Sequence, residues 1–433
     1  MARSASPSRF FPGAVLAVLA FLAGGEAVAQ APDAEATPLA CPGDVGQGVA
    51  CSTTRDADGA WVVMAMPAEW NRKLIVHAHG GPRTGEPDVQ DSLDDLNRFA
   101  VWVRKGYAWT GSSYRRGGYG VRMAAEGVEH SRELFWRRFG RPDRTILHGQ
   151  SWGGNVAAKT AELYALDGEG RANYDGVLLT NGVLTGGTKA YQFRADLRAV
   201  YQFYCRNHPS AEDGAYPVWQ GLAAGSRMTR AELRRRVEAC TGAGLSMRQR
   251  TADQSRRLRD ILAVTSVAED ELVAHLSWAT FLFQDLIGRV GGNPFDNSRT
   301  VYSGSSDDAA LNAGVERFTA DPMAVARLAY DADLSGLIVA PTISLHARHD
   351  PTVSYTADAV YAATVEQAGR SALLVQATTD EDQHSKLADG GYLTILDALE
   401  GWISTGARPD PAGFQGRCLS LVAARECKFT PTQ

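Results

Sequence analysis

With 433 residues, 44% of them hydrophobic and 21% charged, the chain is long enough for one large domain or two and apolar enough for a substantial core, which excludes a disordered protein. Its formal net charge of -5 gives no electrostatic reason to bind nucleic acid, and no nucleic-acid partner is expected.

In chain order, residues 1–29 read as a secretory signal. Arg3 and Arg9 precede an apolar run from Phe10 to Ala23, and Ala27-Val28-Ala29 is a small-x-small cleavage site. The run is shorter than the ~20 residues of a membrane span, so a secreted or periplasmic protein without stable membrane association after cleavage is expected. Six cysteines agree with export, falling in sequence as Cys41/Cys51, Cys205/Cys240 and Cys418/Cys427. Without a CxxC or zinc spacing, disulfides are the simpler account, and nearest-neighbour pairing is preferred among the connectivities.

Residues 30–59 read as a leader, whose small, acidic, proline-containing start at 31–39 predicts flexibility. From 60 to 182 apolar strand-like runs alternate with helical spacing. Strands are predicted at 61–66, at 73–79 with an abrupt stop at Gly80-Gly81-Pro82, at 107–111, at 145–147 and at 176–180. Helices are predicted at 93–104 and 123–139, and an alanine-rich one follows Ser151. Such alternation predicts an α/β fold with a mostly parallel sheet covered on both faces.

Residues 183–335 lack strand–helix alternation and read as an inserted helical cap, with helices at 193–204, 230–239, 248–264 and 270–286. Arginine is dense there, but interspersed acids predict a solvated helix face. The alternation resumes over 336–404: a strand at 337–345 interrupted by Pro341, a helix at 357–368, a strand at 372–376 and a helix at 392–403. Residues 405–433 form a C-terminal extension.

The chemistry centres on Gly149-Gln150-Ser151-Trp152-Gly153, between a short strand and a helix. A serine on a sharp strand-to-helix turn needs neighbours without side chains, and Gly149 and Gly153 meet that need. The turn also places Ser151 at a helix N-terminus, where the Trp152 N–H faces developing negative charge. A serine hydroxyl is a poor nucleophile at neutral pH, so a general base and a group to orient it are required. Asp350 just past a late strand and His384 in the loop after the next strand give the order Ser, Asp, His at one sheet edge. Asp380 and Asp382 compete as the acid but lie close to His384 in the same loop. Backbone N–H groups of Gly80 or Gly81 are expected to complete an oxyanion hole with Trp152. Tyr114, Trp152 and the aromatics within 278–283 are candidate pocket residues. His77 and His79 share a strand face, but no partner cluster supports a metal, and none is expected. No cofactor is required, because the triad and oxyanion hole suffice for acyl transfer.

HGG, GQSWGG, the HDP strand end and the late histidine resemble the α/β-hydrolase superfamily over about 60–182 and 336–404. The resemblance implies an eight-stranded, mostly parallel sheet with a helical cap between strands six and seven. The run from Pro67 to Leu74 and Gly111-Ser112-Ser113-Tyr114 are similar to secreted bacterial esterases of the feruloyl esterase, tannase and polyester-depolymerase kind. His79-Gly80-Gly81-Pro82 with Ser151-Trp152-Gly153 is also similar to proline-releasing aminopeptidases, with departures at Arg83 and Gln150. The expected activity is hydrolysis of a small-molecule or oligomeric carboxylic ester through an acyl-enzyme. A serine peptidase and a non-catalytic binding protein on a hydrolase scaffold are the alternatives.

Overall fold

The computed structural model describes Met1 and residues 35–430. The secretory signal read over 1–29 therefore lies outside the described residues, apart from Met1. The β-branched and aromatic runs form nine strands: β1 (Thr37–Leu39), β2 (Val49–Arg55), β3 (Trp61–Pro67), β4 (Lys73–Ala78), β5 (Ala108–Ser112), β6 (Arg144–Gln150), β7 (Gly176–Thr180), β8 (Thr342–Ala347) and β9 (Leu374–Thr379). They make one sheet in the order β1-β2-β3-β5-β4-β6-β7-β8-β9. β1 to β3 and the β3–β5 pair run antiparallel, and every pairing from β5 to β9 is parallel.

The sheet is thus mostly parallel, as expected, with nine strands where eight were expected. The difference lies in residues 30–59, read as a leader: β2 pairs along its whole length with β3, and β1 caps that edge. The Cys41–Cys51 disulfide fastens the two added strands together, which offsets their low apolar content. At the other end, the strand expected over 337–345 begins only at Thr342. Pro341 has no N–H for a sheet ladder, although its carbonyl accepts from Val177 at 2.9 Å.

Helices cover both faces. α1 (Val89–Arg98) and α2 (Val101–Arg104) precede β5, α3 (Val121–Phe139) precedes β6, and α4 (Trp152–Leu163) follows it. Alternation along β4 sends Leu74, Val76 and Ala78 into the core shared with α3 and α4, while Ile75 joins Trp102 and Ile395 on the opposite face. Between β7 and β8 lie α5 (Gly187–Ala190), α6 (Gln192–Cys205), α7 (Arg230–Thr241), α8 (Ala252–Thr265), α9 (Leu272–Ser277), a π-helical turn over Trp278–Leu282, α10 (Phe283–Val290), α11 (Asp308–Gly314) and α12 (Pro322–Ala332). This helical cap falls between the sixth and seventh strands counted from β2. Its apolar side chains, among them Leu197, Leu233, Leu258 and Phe283, continue the core of the α3/α4 face. α13 (Thr356–Gln367), α14 (Asp389–Thr405) and α15 (Phe414–Leu421) complete the chain.

The remaining disulfides are Cys205–Cys240, joining α6 to α7, and Cys418–Cys427, holding the C-terminal segment beside β9. All three pairs are sequence neighbours, as preferred above. Among the described residues, no helix is long and apolar enough to cross a membrane.

Candidate active site

Ser151 is the N-cap of α4, immediately after β6, with φ 60 and ψ -129. A serine in that left-handed region is strained, and the strain persists because the surroundings leave no alternative. Gly149 and Gly153 show why. A Cβ on Gly149 would lie 2.1 Å from the Gly153 carbonyl oxygen, and one on Gly153 would lie 2.2 Å from that of Ala78. The crossing of β4, β6 and α4 is thus too close for any side chain, and it presents Ser151 above the sheet edge.

Asp350 follows β8 and His384 follows β9, so parallel pairing brings both to the edge that carries Ser151. His384 Nδ1 lies 2.7 Å from Asp350 Oδ2, and Nε2 lies 2.7 Å from Ser151 Oγ. A carboxylate only accepts, so Nδ1 carries the proton and Nε2 is left to accept from the serine hydroxyl. Asp350 Oδ1 accepts from the backbone N–H groups of Thr352 (2.8 Å) and Val353 (3.0 Å), which fixes the carboxylate plane. The competing acids are elsewhere: Asp380 pairs with exposed His349 at 3.0 Å, and Asp382 accepts from Gln383.

Sequence reasoning missed the residues that hold His384. Its carbonyl accepts from Gln150 Nε2 and from Asn181 Nδ2 (2.9 Å), and Asn181 Nδ2 also reaches the Gln383 carbonyl at 2.9 Å. The Asn181 Oδ1 accepts from the Ala347 N–H at 2.8 Å, so one buried amide ties the histidine loop to the end of the acid's strand. The signal was faint: an asparagine directly after a strand, at φ 43, a conformation asparagine tolerates better than most residues.

Beneath the site a second buried cluster joins His77, His79, Asp95 and His148. His77 and His79 share a face as the strand period required, and both meet Asp95 of α1. Burial alone raises the Asp95 carboxyl, but the charge of His79 and hydrogen bonds from both histidines outweigh it and hold the group well below the carboxylate range. Burial depresses His77 despite Asp95, and it depresses His148 more strongly. Side-chain contacts also link His77 to His148 (2.9 Å), His148 to the Thr180 hydroxyl (3.1 Å), that hydroxyl to Gln150 Oε1, and Gln150 Nε2 to the His384 carbonyl. His79 is therefore a buried structural partner of Asp95.

The glycine turn lies against Ser151: a Cβ on Gly80 would be 3.0 Å from the Gln150 carbonyl oxygen and 3.8 Å from Ser151 Cβ. Gly81 has φ 70, and space for a Cβ there is open. Trp152 is the first residue of α4, where a backbone N–H has no intrahelical acceptor. Its indole is buried against Tyr114 and Tyr119. Tyr114, expected to line a substrate pocket, is buried, and its hydroxyl donates to the His79 carbonyl at 3.0 Å, supporting the glycine turn from below. Tyr114 also borders a small pocket with Gly81, Pro82 and Arg83, and a larger cavity of about 750 Å³ lies between Gly80 and Gly81 on one side and Trp278 and Leu282 of the cap on the other.

One triad of possible metal ligands lies within the described residues: Asp58, Glu126 and His130. Arg115 already pairs with both of its carboxylates, with Asp58 at 3.2 Å and with Glu126, so a cationic partner is in place.

Neither a protein-family model nor a curated protein matches the sequence. Among solved structures, the chain is similar to feruloyl esterase B from Aspergillus oryzae, at 13% identity over 87% of this chain and 88% of that one with a TM-score of 0.43. It is similar to the rice cell wall degrading esterase LipA from Xanthomonas oryzae, at 15% identity over 82% and 90% with a TM-score of 0.40. It is also similar to Candida antarctica lipase A, at 12% identity over 92% and 93% with a TM-score of 0.46.

Proposed function

We propose that this chain is an exported serine hydrolase that cleaves a carboxylic ester through an acyl-enzyme. The unbroken hydrogen-bonded path Ser151–His384–Asp350 carries this reading. His384 Nε2 takes the hydroxyl proton as Ser151 Oγ bonds to the ester carbonyl carbon. The N–H of Trp152 and that of Gly80 or Gly81 stabilise the oxyanion. Collapse expels the alcohol, which receives the proton from His384, and water then attacks the acyl-enzyme with His384 again as base. Asp350, fixed by two backbone N–H groups, keeps the ring oriented and stabilises its cationic form. Three disulfides support an oxidising compartment.

A fluorophosphonate probe tests the reading. The folded wild type is expected to label at Ser151, and Ser151→Ala to lose hydrolysis by on the order of 10⁶-fold in kcat. Absence of labelling in the folded wild type, or undiminished hydrolysis by the variant, refutes it. Assaying nitrophenyl acyl esters beside N-terminal prolyl amides separates ester cleavage from the aminopeptidase alternative.

A further inference from the structure

On the acid side of the triad, cap and sheet enclose a second cavity, of about 540 Å³. Its walls include Val183, whose N–H donates to the Ser151 carbonyl at 2.9 Å, and Asp350 itself. Both ends of the triad are therefore bonded to this wall. Three cations line it, Lys189, Arg194 and Arg348, and none has an ion-pair partner among the described residues. The one carboxylate in the lining, Asp350, already accepts from His384, Thr352 and Val353. His275, between Arg194 and the Pro351 backbone, is pushed down to about 3 by burial and then by Arg194, so it adds no charge at neutral pH.

Arg194 is the unusual member. It is 5% exposed, and its Nε is sealed without an acceptor among the described residues. The guanidinium lies near the rings of Phe193 at 4.5 Å and Trp278 at 4.7 Å, contacts that leave its N–H donors unmet among the described residues. Other arginines of the cap are handled differently. Arg198, buried with its Nε likewise sealed, still donates through Nη1 to the His208 carbonyl at 2.7 Å, while Arg236 pairs with Asp213 and Glu232, and Arg250 with Glu269. A buried guanidinium with no acceptor is costly unless the acceptor arrives with a ligand. Its planar donor fork matches a carboxylate in a way that a lysine does not.

We propose that this cavity is a carboxylate subsite, and that the ester cleaved at Ser151 carries a free carboxylate held there by Arg194, with Lys189 adding positive charge at the rim. The proposal rests on the ester-hydrolase reading above. Monoethyl adipate and diethyl adipate test it, with acid release followed at constant pH. Loss of diethyl adipate hydrolysis in Ser151→Ala tests the ester reading alone. In the wild type, kcat/KM for the monoanion is expected to exceed that for the neutral diester by roughly tenfold or more. Arg194→Met should bring that ratio towards one, chiefly through KM, and Arg194→Lys should restore only part of it. Lys189→Ala, at an exposed position, should lower the same ratio a few-fold and does not depend on refilling a buried site.

Binding of adipate itself to Ser151→Ala, read by calorimetry and lost in the Ser151→Ala/Arg194→Met double variant, supports the subsite even where neither ester is cleaved. Serine-dependent hydrolysis of the diester without preference for the monoanion overturns the proposal. So does a ratio unchanged by both Arg194→Met and Lys189→Ala.

Discussion

Asn181 offers the sharpest probe of how the triad is held. Asn181→Gly removes its three hydrogen bonds, to the carbonyls of Gln383 and His384 and from the Ala347 N–H, while glycine accepts φ 43 without strain. At about 1 kcal/mol net for each bond, some 3 kcal/mol of fixation between the histidine loop and the acid's strand is lost. Were all of it expressed in the transition state, kcat would fall by about two powers of ten. Gln150 still holds the His384 carbonyl, so a fall of roughly tenfold to fiftyfold is expected, with KM nearly unchanged. Steady-state kinetics on a short-chain nitrophenyl ester, with thermal unfolding in parallel, measure it. A variant that melts several degrees lower yet keeps kcat within about twofold refutes the positioning role, as does a rise in KM alone.

Four further outcomes follow from the same geometry. Asp350→Asn leaves the shape of the site but removes the ring-orienting charge, and kcat should fall by roughly 10⁴-fold while the fluorophosphonate probe labels far more slowly. Gly153→Ala drives a methyl group to 2.2 Å from the Ala78 carbonyl oxygen, so both folding yield and specific activity should drop; a fully active variant contradicts the close crossing. His208 is buried and depressed to about 2 by burial and then by Arg198, so the unfolded chain binds its proton from about pH 6.5 downward while the folded one does not. Stability from this group is present above that pH and declines as pH falls, and His208→Gln should remove about 2 kcal/mol of the loss between pH 7 and pH 5, read by urea unfolding. Replacing Cys205 and Cys240 by serine opens a link spanning 35 residues of sequence and should cost about 2–4 kcal/mol, read by calorimetry of the variant beside the wild type.

Local pattern made much of this molecule legible. The alternation of apolar runs with helical spacing announced β3 to β7 and the helices between them, because strand and helix periods are written in consecutive residues. The glycines around Ser151 announced the turn, since a close crossing tolerates no side chain at Gly149 or Gly153. The leader hid β1 and β2, whose mixed composition becomes strand-like only when paired with β3 and tied by a disulfide. Tyr114 looked like a pocket residue because an aromatic beside an active loop reads the same whether it faces substrate or supports a backbone. Folding adds the supporting role, with its hydroxyl on the His79 carbonyl, while the residue still borders a small pocket beside Gly81.

By itself, the sequence determined the chain order of Ser151, Asp350 and His384 and the local geometry of the serine turn, for these depend on residue type and near neighbours. Only the tertiary structure decided what surrounds them. The amide of Asn181 reaches a loop 203 residues away, and the Asp95 carboxylate meets histidines on another element. Arg194 was one arginine among many until folding left its buried Nε without an acceptor among the described residues. Burial and hydrogen-bond satisfaction are properties of assembled surfaces, and no spacing along the chain encodes which donor finds an acceptor.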